Sequence, residues 1–266
     1  MPAKPLFISK LWLALAFVAV MLISFVYHLP ASWALQQLPA QAKQQLEQKM
    51  FISEVQGSLW NGQLSLGLNQ AKQNVPLGTF SWQLNPWALL AMNLNADMQM
   101  VPVEGAGGLD WQLSTGLLNQ QNVELTDLNG ELDLRNLQAL LPAGIQNLGE
   151  LKGQLSFQQI NLAWDTQLRW ATQLSGDVKV AQLDVMGAQI PHLSLTPSLK
   201  DKQVQVAAQG GDKAWQLKGS SLLNAKSFQH NFTIKADGAN NMPPWVDLVM
   251  RKKTPTLATF NQKGRW

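Results

Sequence analysis

Catalysis in a chain of 266 residues requires side chains that ionise, ligate or attack, and here they are few and dispersed. The three histidines, His28, His192 and His230, are scattered, and no pair has metal-ligand spacing. There is no cysteine, which excludes disulfides and thiolate metal sites. Gly210-Gly211 is not followed by the helix or the Lys-Ser/Thr pair of a phosphate loop. Ser220-Ser221 lies outside any nucleophile elbow. Asp110, Glu131, Asp133 and Asp177 fall near turns or on the polar side of alternating runs, where carboxylates are solvated rather than paired for acid/base work. Asn231-Phe232-Thr233 matches a glycosylation sequon, a weak motif that needs a eukaryotic secretory route. The inventory predicts no catalytic residue, no cofactor and no metal, and hence no enzyme.

The sequence pI of about 9.1 invites a nucleic-acid reading. Beyond residue 29, however, 18 Lys and Arg stand against 17 Asp and Glu. No Arg-rich stripe or aromatic-interleaved basic face is present, so nucleic acid is not expected as a partner. Charged residues are only 14% of the chain, while Gln, Asn, Ser and Thr are abundant. That composition suits an uncharged polar face opposite an apolar one.

The N-terminus reads as a membrane anchor. Lys4 and Lys10 precede Leu11 to Leu29, a run without formal charge if His28 is neutral. Nineteen helical residues span about 28 Å, close to the hydrocarbon thickness of a bilayer. Trp12 and Tyr27 sit near its ends, where interfacial aromatics belong. A cleaved signal peptide is the alternative, but its apolar core would be unusually long and Ala31-Ser32-Trp33 is a poor cleavage site. The flanking lysines then predict residues 1–10 in the cytoplasm, 11–29 as a single transmembrane helix, and the remainder on the other side of the membrane. Residues 30–50, rich in Ala, Leu, Gln, Lys and Glu, predict a helical stalk that Pro39 divides.

From Phe51 to residue 266 short period-two runs dominate, bounded by Gly, Pro, Asn or Asp. The predicted fold is mainly β: a curved, largely antiparallel, groove-like sheet with short helical turns. One turn is expected at 86–91, with Asn85 as cap and Pro86 as first residue. Another is expected within 135–144, ended by Pro142. Gly130, Gly153 and Gly176 recur every 23 residues, as if each unit were a strand pair. The residues two beyond them, Leu132, Leu155 and Val178, are then expected on one face, lining an apolar groove.

In "EVQGSLWNGQLSLGL" (54–68) the alternation changes parity, from Val55 and Leu59 to Leu64, Leu66 and Leu68. A one-residue slip exchanges the faces of a strand. Gly57 and Gly62 flank the change, Asn61-Gly62 is a favoured tight-turn pair, and Trp60 lies between them. Trp60 is read either as a corner that covers the switch or as a docking residue. The eleven tryptophans include several within strands, such as Trp82, and are read as packing or as the lining of an apolar groove.

Four segments carry a family resemblance: "VQGSLWNGQL" (55–64), "FSWQLNPWALLAMNLNADM" (80–98, with Trp82, Pro86 and Trp87), "LQALLPAGIQNLGELKGQLSF" (137–157) and "FNQKGRW" (260–266). In this order they resemble the type II secretion system protein N family of Gram-negative bacteria. The resemblance implies a non-enzymatic inner-membrane protein with a periplasmic domain. It would support export of folded proteins across the outer membrane, in contact with other secretion components and with inner-membrane lipid. It brings no active site. The family also looks related to AsmA-type periplasmic β-groove proteins, which implies lipid binding or envelope support as the alternative.

Overall fold

The structure is a computed structural model describing residues 17–18, 20–21, 24, 27–37, 39–70, 73–103, 107–118, 121–138, 151–185 and 188–265. Residues 1–16 and much of the apolar run after them lie outside this set. Phe17, Val18, Val20 and Met21 are helical and more than half exposed. Among the described residues no helix is long and apolar enough to cross a membrane.

Among the described residues, fourteen strands form one open antiparallel sheet. They are β1 (Met50–Gly57), β2 (Asn61–Gln70), β3 (Gln73–Leu84), β4 (Asn93–Pro102), β5 (Gly108–Gly116), β6 (Asn122–Asp133) and β7 (Lys152–Asp165) in the first part. Then come β8 (Trp170–Val185), β9 (Ala188–Lys200), β10 (Gln203–Gly211), β11 (Trp215–Leu223), β12 (Ser227–Ala236), β13 (Arg251–Thr254) and β14 (Leu257–Arg265). Each strand pairs with the next in sequence, except that β14 lies between β12 and β13. Such a meander follows from short turns with identifiable chemistry. Asp165 Oδ1 accepts from the Gln167 and Leu168 N–H groups, and Asp212 Oδ1 from those of Ala214 and Trp215. Asn224 Oδ1 does the same for Lys226 and Ser227. These side chains mimic a backbone turn. Asp201 and Lys202 both have positive φ, 50° and 60°, as a two-residue hairpin loop of matching twist requires.

The expected turn at 86–91 is a 3-10 helix, Pro86–Ala91, with Asn85 Oδ1 accepting from the Trp87 N–H at 3.0 Å. In the 135–144 segment, helix α3 covers Leu134–Gln138, capped by Asp133 Oδ1, which accepts from the Arg135 N–H. The rest of that segment, with Pro142, lies outside the described residues.

Residues 30–50 do hold two helices, α1 (Ala31–Gln36) and α2 (Ala40–Lys49), on either side of Pro39. Both pack against the first strands, α1 on β1 and α2 on β1 and β2. Asn69 Nδ2 donates to the carbonyls of Glu47 and Met50 and holds α2 there. Two sequence readings are corrected in detail. The 23-residue rhythm marks one glycine in each of β6, β7 and β8, not one per strand pair. Gly130 and Gly176 sit beside register shifts at positive φ, 129° and 119°. A Cβ at Gly130 would lie 2.0 Å from the Gly108 carbonyl oxygen, so no other residue fits. Finally, the parity change at 54–68 is not a slip within one strand. It is the passage from β1 to β2 through Ser58, Leu59 and Trp60, with Val55 directly opposite Leu64 and Gly57 opposite Gly62. Asn61 and Gly62 already belong to β2.

A candidate interaction surface on the open sheet

In antiparallel pairs, residues opposite one another share a face. Following the register across the sheet, one row runs Val55, Leu64, Phe80, Met100, Leu109, Gly130 and Phe157. It continues through Val178, Leu195, Ala208, Gly219, Phe232 and Phe260. This row crosses every strand from β1 to β12 and reaches β14 without a polar side chain. At about 4.8 Å per strand it is roughly 58 Å long. The opposite face carries Gln63, Ser81, Gln99, Asp110 and Asn129 in register. The abundance of uncharged polar residues therefore has a structural address.

The two ends of the apolar face differ. Near its C-terminal end, residues 239–250 fold back over it. Met242 and Val246 join Trp215, Leu217, Ile234, Ala236 and Ala258 in a buried cluster, with Ile234, Val246 and Ala258 at 0% exposure. Trp245 packs edge-on against Trp215 at 6.0 Å. Over β1–β8 most of the large apolar residues of this face are only half-buried, and Trp164 is exposed. Phe80 and Trp111 meet edge to face at 6.4 Å across this open part.

Of the sequence-predicted residues, Leu132 and Leu155 are directly opposite, and Val178 faces Phe157 two positions along on the same face. The structure thus brings the three together. Leu132 is buried, while Leu155 and Val178 are half-buried. Trp60 is half-buried in the β1–β2 loop, and its carbonyl accepts from the Leu84 N–H at 2.7 Å. The tighter member of that corner is Trp82. Its indole N–H donates to the Leu59 carbonyl at 2.9 Å, and its ring lies where a Cβ on Gly62 would be. Trp87, in the 3-10 turn, is 76% exposed and does not join this corner.

Sequence reading missed one polar pair on the apolar face. Ser221 Oγ and His230 Nδ1 are 2.9 Å apart, and the imidazole lies between Phe228 and Phe232. The Asx turn at Asn224 is the signal that would have paired them, since a hairpin fixed there sets 221 opposite 230. Among the described residues no carboxylate bonds this imidazole. Among the described residues no group of three or more His, Asp or Glu could hold a metal ion. Asp133 has its carboxyl held below the usual carboxylate range by hydrogen bonds from Arg135, partly opposed by desolvation. That pair belongs to the α3 cap.

Charge divides the chain at the same place as covering does. Residues 51–185 contain 12 Asp and Glu against 5 Lys and Arg, whereas 186–266 contain 4 against 11. The two parts carry −7 and +7. On the polar face, Asp97, Asp110 and Asp127 border a shallow hollow of about 410 Å³ with Ser81 and Gln112. Lys218, Lys235, Lys263 and Arg265 occupy the same face at the other end.

No solved structure matches the chain. One curated relative, the type II secretion system protein N of Vibrio cholerae serotype O1, is 36% identical over 86 residues. That alignment covers 32% of this chain and 30% of the relative. The family described as type II secretion system (T2SS), protein N, matches residues 48–251, from the end of α2 to the first residue of β13. The match includes nearly the whole sheet, and the chain belongs to the type II secretion system protein N family.

Proposed function

We propose that this chain is a non-enzymatic, single-pass inner-membrane component of the type II secretion system. Residues 11–29 anchor it, 1–10 lie in the cytoplasm, and the β domain works in the periplasm. It supports export of folded proteins across the outer membrane by contacting other secretion components through its apolar face and strand edges. Family membership supports the secretion role. The observation that carries the contact role is the apolar row, covered by the chain's own residues 239–250 at one end and half-exposed along β1–β8. Deleting the gene and assaying secreted proteins in the medium tests this. Secretion should fall and return on complementation. Unchanged secretion removes the reading.

A second reading has its own support. A continuous apolar row of this length, with a largely uncharged face behind it, also suits acyl chains, as in an AsmA-like β-groove that binds lipid or supports the envelope. Register shifts in β6, β7 and β8 would bend the sheet towards such a groove. Mass spectrometry of the purified protein separates the two: stoichiometric phospholipid favours lipid binding, and its absence favours protein contact.

A further inference from the structure

An open sheet has two edges, and this one treats them differently. At the β1 edge the chain's own residues meet the end of the strand. Pro30 bridges Ser58, the Leu59 N–H donates to the Leu29 carbonyl at 2.9 Å, and α1 and α2 pack alongside. At the other edge, β13 is four residues long and pairs only with Leu257, Ala258 and Thr259. Residues 260–265 are paired by β12 on one side and have no strand on the other among the described residues. Six residues make about 20 Å of unpaired backbone, the length of an ordinary strand.

The side chains at this edge are selective. Lys252 is engaged by Asp247 at 2.8 Å. Arg251, Lys253, Lys263 and Arg265 are exposed and have no ion pair among the described residues. By register, Lys263 and Arg265 share the polar face with Arg251 and Lys235, while Phe260 and Gly264 lie on the apolar face. Lysines on an edge disfavour pairing with neutral strands and repel basic ones. They attract an acidic one. The β1 strand of a second copy fits poorly, because Met50–Gly57 holds a single carboxylate and its end is already met by the chain's own residues.

We propose that residues 260–265 of β14 accept an extended acidic segment of a partner protein as an added strand. Its acidic side chains would alternate opposite Lys263 and Arg265, with apolar ones between them continuing the row that ends at Phe260. This deepens the protein-contact reading by naming the partner's chemistry, and rests on that reading for the partner's identity as a secretion component.

The test uses the purified full chain in detergent and a fluorescent eight-residue peptide alternating Glu and Val. Two controls accompany it: a Lys–Val peptide, and an acidic peptide of the same charge with Pro at the alternate positions. The Glu–Val peptide should bind by anisotropy, the Pro version about tenfold more weakly or not at all, and the Lys–Val peptide not at all. Amide exchange should slow at 260–265. The double variant Lys263→Glu/Arg265→Glu should lose the Glu–Val peptide and gain the Lys–Val peptide, a swap that a misfolded protein cannot show. Lys43→Glu/Lys49→Glu, near the β1 edge, should bind as wild type does. Equal binding of the Pro version, protection elsewhere in the sheet, indifference to the double variant, or no binding at all would each overturn the proposal. If the double variant loses the peptide while secretion is intact, the edge proposal falls and the secretion role stands.

Discussion

Strands β1–β8 and β9–β14 follow the same alternation, yet they end in different states. In the second group, residues 239–250 return over the apolar face and the buried residues gather into one cluster. In the first group, Ala96, Met100, Leu132 and Ile160 are buried without joining that cluster, and their larger neighbours stay half-exposed. The first part is acidic and the second basic. Period-two patterning therefore specifies a sheet with one apolar face but not what lies on that face. A local segment can cover it, as at Val246, or it can be left for something else.

The largest expected effect falls on the covered end. Ile234→Asp places a charge at a fully buried site with no cation in its cluster. It should cost about 4 kcal/mol or more and unfold this end first. Chemical denaturation of the purified domain checks it, and a loss below about 1 kcal/mol would mean residues 239–250 do not cover the face. Next comes the tight corner at the other end. Trp82→Ala removes the ring over Gly62 and the hydrogen bond to Leu59, and should cost about 3 kcal/mol. Trp60→Ala should cost less than Trp82→Ala, because Trp60 is half-buried in a loop. The reverse order in thermal melts would make Trp60 the corner's support.

A matched pair then tests whether the face of β1–β8 is one-sided. Leu155→Asp should cost about 2 kcal/mol and Ser156→Asp less than about 0.5 kcal/mol. Equal losses would mean that the sheet is covered on both faces. The smallest effect is at Asp133. Its folded carboxyl titrates below its ordinary value of 3.8 because Arg135 bonds it. A depressed carboxylate stabilises the fold above its unfolded value, and the benefit disappears as pH falls through the folded one. Melts of wild type and Arg135→Ala should therefore differ slightly at neutral pH and converge below pH 3.8.

The features readable in the sequence are those whose causes are local. Alternation placed Leu132, Leu155 and Val178 on one face because residues two apart in a strand point the same way. Asn85 and Pro86 marked a helical turn because their local bonding needs no tertiary contact. The 54–68 parity change was misread because a three-residue hairpin loop and a one-residue slip leave the same trace in a pattern. The glycine rhythm showed its period but not its cause, since a bulge is defined by the partner strand. The paired Ser221 and His230 and the folding of 239–250 over the sheet depend on contacts between distant residues, which periodicity does not encode.

If the apolar face of β1–β8 is a working surface, while the same face near β11–β14 is covered by its own chain, the two must differ in accessibility. The protein has no cysteine, so single-cysteine variants report on it directly. Val178→Cys, on the open part, should react readily with a membrane-permeant thiol reagent in the purified protein. In cells carrying the rest of the secretion apparatus it should be shielded. Ala258→Cys, at 0% exposure, should be unreactive in both settings. Slow labelling of Val178→Cys in the purified protein, or equal labelling with and without the apparatus, would contradict that difference.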